Sequence, residues 1–279
     1  MHGHRPSTLD HRAAPISIAT SFDYDIPFDA QVPLIAAAGF THLSLGVRED
    51  HSNYRSAAGR AQIARLLSAN GLAMDTIHGP RIDQPGSAEV LADVIDAAAS
   101  LGAGVVAVHV SPFDFPQSEL AGREANVLHI CESIGPVAAA AGVRIALENV
   151  LPGHATELVT RVLERLDPMI FGACYDSAHD QIGGPRPFTL LETWRGRVIA
   201  VQLSDRIRDF VDHVLPGEGF IDWRELCESL RRSGFDAPVL LEVATTHSAE
   251  KDPVRFLNRA GHCARQIAAA LSCSATDSP

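Results

Sequence analysis

The sequence predicts a single parallel (β/α)8 barrel, and three observations carry that reading. Short β-branched runs alternate with longer Ala/Leu-rich amphipathic stretches from Ile16 onward, which is the pattern of right-handed strand–helix–strand crossovers around a parallel sheet. The alternation completes eight units, which suggests closure, and 279 residues suit one undivided barrel. The rival, an open doubly wound sheet, would be expected to carry a G-x-G-x-x-G phosphate loop at its first strand–helix turn. None is present there, and no shift in composition marks a second domain.

Taken in order, strands are expected over 16–20 (ISIAT), 41–47 (THLSLGV), 72–78 (LAMDTIH), 105–111 (VVAVHVS), 143–149 (VRIALEN), 170–176 (IFGACYD), 198–204 (VIAVQLS) and 238–244 (PVLLEVA). Between them, 28–38, 56–69, 88–101, 119–141, 156–165, 187–194 and 223–233 have helical periodicity, and a helix over 253–271 closes the chain. Gly39, Gly71, Gly102, Gly142 and Gly234 stand just before five of the strands, where helix C-caps belong. Residues 1–15 are polar, hold three histidines and lack an apolar signal core. They read as a flexible N-terminal arm, which leaves 16–279 as the barrel domain.

Composition narrows the partners. An apolar fraction of 46% fits a soluble domain with a substantial core, and no run of about 18 apolar residues exists to span a membrane. The five cysteines are odd in number and show no CxxC pairing, so a reduced, cytoplasmic protein is expected. A formal net charge of −11 disfavours nucleic acid, because a duplex-binding surface needs clustered Lys and Arg. The one dense arginine stretch, Arg195 to Arg208, is interrupted by Asp205. Lys251 is the only lysine and lies well past the last strand, so a Schiff-base aldolase is ruled out. The expected partner is a small polyhydroxylated molecule. Oligomeric state is not fixed by the sequence, and a homo-oligomer stays open.

In a barrel the C-terminal ends of the strands surround the active-site mouth. The polar residues there are His78 on strand three, His109 on strand four, Glu148 and Asn149 on strand five, and Asp176 with His179 after strand six. Gln202 with Asp205 follows on strand seven, and Glu242 on strand eight. Any one of these alone reads as an ordinary structural residue. Together, Glu148, Asp176 and Glu242 would converge on one cavity with no lysine to offset them, and uncompensated buried carboxylates are expensive. A divalent cation is the simplest compensation. His78 and His109 fit substrate contact or a hydrogen-bonded network under the loops. Asn149 and Asp205 are expected to support the cation's ligands, and Asp75 and Cys174 to pack inside their strands. The PGEGFIDW stretch reads as a rigid turn that caps the next helix through Asp222 and borders the cleft.

This strand-end set, with the segment His213-Val-Leu-Pro-Gly-Glu-Gly-Phe-Ile-Asp-Trp223, resembles the xylose isomerase-like barrel superfamily, which holds sugar phosphate isomerases and epimerases and an apurinic endonuclease family. The segment is similar to that superfamily's H-x-x-PGxG-x-x-DW. The resemblance runs across nearly the whole chain. It implies that one metal ion is held at Glu148, Asp176, Gln202 and Glu242, where Gln202 replaces the usual histidine as a neutral, hard oxygen ligand. Three carboxylates and an amide favour Mn²⁺ or Mg²⁺, with Zn²⁺ or Co²⁺ as alternatives. Glu148 and Glu242 are the candidate acid/base pair, with His179 as an alternative base. His179 and Arg208 match positions that touch substrate oxygens in ketose epimerases, and His78, His109 and His213 join them as candidate substrate contacts.

The implied activity is isomerisation or epimerisation of a sugar or polyol. The alternative is a dehydratase of a 3-dehydroshikimate-like or inosose-like compound, because some family dehydratases also place glutamine at the Gln202 position. His154 stands where ketose 3-epimerases have a glutamate, which weighs against that particular reaction. The endonuclease pattern is matched at His78, His109, Glu148, Asp176, His179, His213 and Glu242. It fails at Gln202 and at Val211, where an aspartate should precede His213 by two. Asp212 is one residue off and would point away from it in an extended segment. A non-catalytic barrel is the remaining reading, disfavoured by two cavity glutamates.

Overall fold

The strand-forming runs pair in chain order and return to their start. The computed structural model describes residues 14–111 and 113–272. Its strands are β1 (Ile16–Ala19), β2 (His42–Leu45), β3 (Ala73–His78), β4 (Val105–His109), β5 (Arg144–Glu148), β6 (Phe171–Asp176), β7 (Val198–Gln202) and β8 (Val239–Leu241). All pairings are parallel, in the order β7-β6-β5-β4-β3-β2-β1-β8. A parallel bridge between Leu203 and Leu241 completes the ring. Leu203 N donates to the Leu240 carbonyl at 2.9 Å, and Glu242 N to the Leu203 carbonyl at 3.0 Å. This is the expected (β/α)8 barrel.

Helices separate the strands on the outside: α1 (Phe28–Ala37), α2 (Ala57–Asn70), α3 (Ser87–Leu101), α4 (Leu120–Ala141), α5 (His154–Arg165), α6 (Thr189–Thr193), α7 (Trp223–Ser233) and α8 (Pro253–Ser272). Gly71, Gly102, Gly142 and Gly234 are C-caps in the left-handed region, as their places in the sequence require. The helix expected over 187–194 shrinks to the single short stretch Thr189–Thr193, and that expected from 156 starts two residues earlier at His154. The arm expected over 1–15 falls mainly on residues 1–13, outside the described residues. Pro15 already belongs to the barrel, since its carbonyl accepts from Val239 N at 2.8 Å. No helix among the described residues is long and apolar enough to cross a membrane.

Two packing layers position the site. Between strands and helices lies a continuous shell of buried Val, Ile, Leu and Phe, including Ile18, Leu43, Ile77, Val106, Ile145 and Leu241. Inside the barrel, Ala107, Ala146, Cys174 and Ala200 pack together on β4 to β7. Side chains two residues apart share a strand face, so His109, Glu148, Asp176 and Gln202 stand directly above this floor of small residues. The short side chains below keep the mouth deep enough for large polar groups.

Candidate active site and metal centre

Glu148 is the centre of the cavity. It is fully buried, and three imidazoles face its carboxylate. His78 Nε2 lies 3.3 Å from Oε2, His109 Nε2 3.2 Å from Oε1, and His179 Nδ1 3.3 Å from Oε1. Gln202 adds a fourth donor, its amide nitrogen reaching Oε2 at 2.6 Å and Oε1 at 3.1 Å. His78 is oriented from behind, with Nδ1 donating to the Gly79 carbonyl at 2.9 Å, and its ring stands perpendicular to that of His109 at 4.7 Å.

Asp176, also fully buried, ends β6 and caps the helical turn Ser177–Asp180, with Oδ1 accepting from His179 N at 2.7 Å. Asn149 clasps the same residue: its Nδ2 donates to the Asp176 carbonyl at 2.9 Å and its Oδ1 accepts from Asp176 N at 2.8 Å. Glu242 faces His213, whose Nε2 is 3.7 Å from Oε2. The ring of His213 lies 5.8 Å from that of His179.

The charge balance of this cluster explains its titration. Burial works against the charged form of His78, but the Glu148 carboxylate outweighs it and pushes the ring up to about 9. His179 is likewise opposed by burial and pushed up to about 9, by Asp176 and Glu148. Burial raises Asp176 to about 6 against the pull of His179 and His213. For Glu148, burial is overcome by His109, His179 and His78, which hold its carboxyl well below the usual range. Protons on the imidazoles thus supply positive charge to the carboxylates.

The donors present fit a divalent cation. Asp176 Oδ2 is closed off from water and has no hydrogen-bond partner, and such an orphaned carboxylate oxygen is what an ion would satisfy. Two trios bring ligand atoms within 4.8 Å of one another: His78 with His109 and Glu148, and Asp176 with His179 and His213. Imidazole nitrogens therefore share the cavity with the carboxylates. The one-metal set expected from the resemblance, Glu148, Asp176, Gln202 and Glu242, contains oxygen ligands only.

One sequence expectation changes, that of Asp205. Arg208, expected to contact substrate, is exposed in the hairpin turn Arg208–Val211, and its side chain makes no hydrogen bond or ion pair to the cluster among the described residues. Its neighbour Arg206 is the buried arginine on this loop. Asp205 does not support the ligands. Its Oδ1 accepts from Arg206 N (2.8 Å) and Ile221 N (3.1 Å), and its Oδ2 from Gly217 N and Trp223 Nε1 (both 2.8 Å). It is the anchor that folds the Pro-Gly loop back against β7. The reason is that both oxygens are already taken by donors from the loop. The capping expected of Asp222 is present, with Glu225 N donating to its side chain at 3.0 Å. His154 donates from Nδ1 to the Phe115 carbonyl at 2.7 Å, which ties the start of α5 to the loop after β4.

The fold and the strand-end cluster define a metal-competent α/β barrel. The sequence pattern of the xylose isomerase-like TIM barrel family matches residues 32–260, and the chain belongs to that family. A relative from Sinorhizobium fredii, named uncharacterized protein y4fM, is 26% identical over 255 residues, covering 78% of this chain and 82% of its own. Inosose dehydratase of Lacticaseibacillus casei is 23% identical over 119 residues, covering 37% of this chain and 38% of the enzyme. Among solved structures, a D-psicose 3-epimerase from Clostridium cellulolyticum H10 with D-tagatose superposes with a TM-score of 0.74 at 15% identity. That match covers 93% of this chain and 100% of the epimerase, and at this identity it speaks for the fold alone.

Proposed function

We propose that the protein is a divalent-metal-dependent isomerase or epimerase of a sugar or polyol. The observation that carries the reading is the pair Glu148 and Glu242. Glu148 is fully buried at the end of β5 and Glu242 is half-buried just beyond β8, close enough for the charge of Glu148 to act on Glu242, in a cavity they share with Asp176, Gln202 and four histidines. Glu148, Asp176, Gln202 and Glu242 hold the ion in this reading, with Mn²⁺ or Mg²⁺ favoured; the imidazole nitrogens nearby widen the choice to Zn²⁺ or Co²⁺. The bound cation would polarise a substrate oxygen and lower the barrier to losing a proton from the adjacent carbon.

The chain's own residues then do the proton work. One glutamate removes the proton from the carbon, and the other returns one to the opposite face. His78, His109, His179 and His213 offer hydrogen bonds to hydroxyl groups around the mouth. His179 has its Nδ1 engaged by the Asn149 carbonyl at 3.1 Å and keeps Nε2 for substrate. An isomerase or epimerase returns product of unchanged mass, with deuterium at the reacting carbon after turnover in D₂O. Screening ketohexoses, inososes and 3-dehydroshikimate with mass detection tests this reading, and failure of every sugar and polyol in the screen to give a product of unchanged mass overturns it.

A second reading, dehydration of an inosose-like or 3-dehydroshikimate-like ring, has its own support in Gln202 and in the partial match to inosose dehydratase. Loss of water in the same screen, with His179 as base, would select it.

A further inference from the structure

The wall of the cavity between β7 and β8 contains a chain of charged groups behind His213. Arg206 is 2% exposed. Its Nε donates to the Ala178 carbonyl at 2.7 Å, Nη1 to the Arg208 carbonyl at 3.3 Å, and Nη2 to Asp212 Oδ2 at 2.5 Å. The other oxygen of Asp212 accepts from His213 Nδ1 at 3.1 Å. His213 Nε2 is left on the cavity side, facing Glu242.

This arrangement is not what an extended segment gives. Neighbouring side chains on a strand point to opposite faces, so Asp212 and His213 should diverge. They meet because His213 itself adopts φ +55°, three residues beyond Phe210 at φ +62°. A non-glycine residue occupies the left-handed region only where its surroundings hold it there. Here the Asp205–Val214 pair (2.9 and 3.3 Å) and the bond from Ala244 N to the His213 carbonyl (2.7 Å) hold it. Burial works against the Asp212 charge, but His213 and Arg206 bring its carboxyl down to about 2, so the acceptor behind the ring is a fixed anion, itself neutralised by Arg206.

We propose that Arg206 and Asp212 are positioning residues that act through His213: they keep its Nδ1–H bound to the loop, so that Nε2 is the ring nitrogen presented to substrate. An imidazole without such a partner can flip its ring or exchange tautomers, and would offer the cavity either nitrogen. A carboxylate at Nδ1 removes that freedom. That the group meeting Nε2 is a substrate hydroxyl rests on the sugar or polyol reading above. The fixed ring does not.

Asp212→Ala and Asp212→Glu in the full-length protein separate positioning from a loop staple. With ¹⁵N-labelled histidine, and His213 assigned by its absence in His213→Asn, the neutral ring of the parent is expected to hold its proton on Nδ1. In Asp212→Ala it moves largely to Nε2, and Asp212→Glu restores it. Using D-psicose and D-tagatose as probes, Asp212→Ala should raise KM about tenfold, the loss of one hydrogen bond. The kcat should change much less, with bound metal per chain unaltered; the melting temperature should fall in Asp212→Ala, because the buried Arg206 loses its carboxylate partner, and recover in Asp212→Glu. An unchanged tautomer in Asp212→Ala overturns the proposal whether or not either sugar is turned over. A changed tautomer without turnover supports it and places the failure with the sugar reading.

Discussion

Gln202 donates its amide nitrogen to both oxygens of Glu148, and so joins the end of β7 to the end of β5 across the intervening strand. In this arrangement the amide stabilises the carboxylate. Half a turn about its last bond would present the oxygen in place of the nitrogen. Glutamine at this point can therefore serve the site in either role, as donor through nitrogen or as a neutral oxygen ligand.

Replacing Gln202 by His tests which role matters. A further imidazole makes the donor set softer, and the preference should move from Mn²⁺ or Mg²⁺ toward Zn²⁺ or Co²⁺. Elemental analysis after equilibration with equal concentrations of the four ions measures it. If the parent already takes only Zn²⁺, or if both proteins choose alike, the oxygen-ligand assignment for Gln202 is wrong.

Glu148→Gln and Glu242→Gln keep an oxygen at each position and remove its basicity. Each variant should still bind metal and lose turnover on the order of 10²-fold or more, together with the exchange of deuterium from D₂O. A variant that binds metal normally and turns over near the parental rate would show that its glutamate is not the acid or base.

These residues were legible because β-branched runs locate strand ends well, and strand ends of a barrel share one mouth. Glu148, Asp176, Gln202 and Glu242 needed no more than that. Asp205 was legible as a polar residue at the right height but not in its role. Its partners Gly217, Ile221 and Trp223 lie 12, 16 and 18 positions away, and a bond from a loop backbone leaves no mark in composition. The Asp212–His213 contact was hidden for another reason. It depends on positive φ at Phe210 and His213, where no glycine or asparagine signals it. The burial of Arg206, two residues before Arg208, leaves no mark in the sequence; only the fold of the hairpin shows that it turns inward.

The Asp205 anchor makes a stability prediction independent of catalysis. Four donors converge on one buried carboxylate. Hydrogen bonds to a charged group contribute about 1.5–3 kcal/mol each and are not additive. Asp205→Asn puts an amide nitrogen against two of those donors, and should cost about 2–4 kcal/mol. For a chain of this size that lowers the melting temperature by roughly 4–15 °C. A scan within 2 °C of the parent would mean the loop is held mainly by its apolar contacts.

Asp75 provides a pH test in the lower barrel. The register of β2 against β3 shifts between Leu43 and Leu45, opposite Met74 and Ile77, and Asp75 lies in the shifted stretch. Its Oδ2 is closed to water and has no hydrogen-bond partner. Burial raises the carboxyl to about 7, against a smaller lowering effect from Ser17. In the unfolded chain the same group loses its proton at about 3.9. The folded protein therefore holds one proton more than the unfolded chain between those values, so this contribution to stability is fully present below about pH 4, declines as pH rises, and is lost above about pH 7. Asp75→Asn mimics the protonated group at every pH. Near pH 4 its melting temperature should equal the parent's; at pH 8 it should exceed the parent's by several degrees, with the gap opening between pH 4 and 7. A constant difference across that range, or a gap that opens toward acid, would show that Asp75 is not held protonated by the fold.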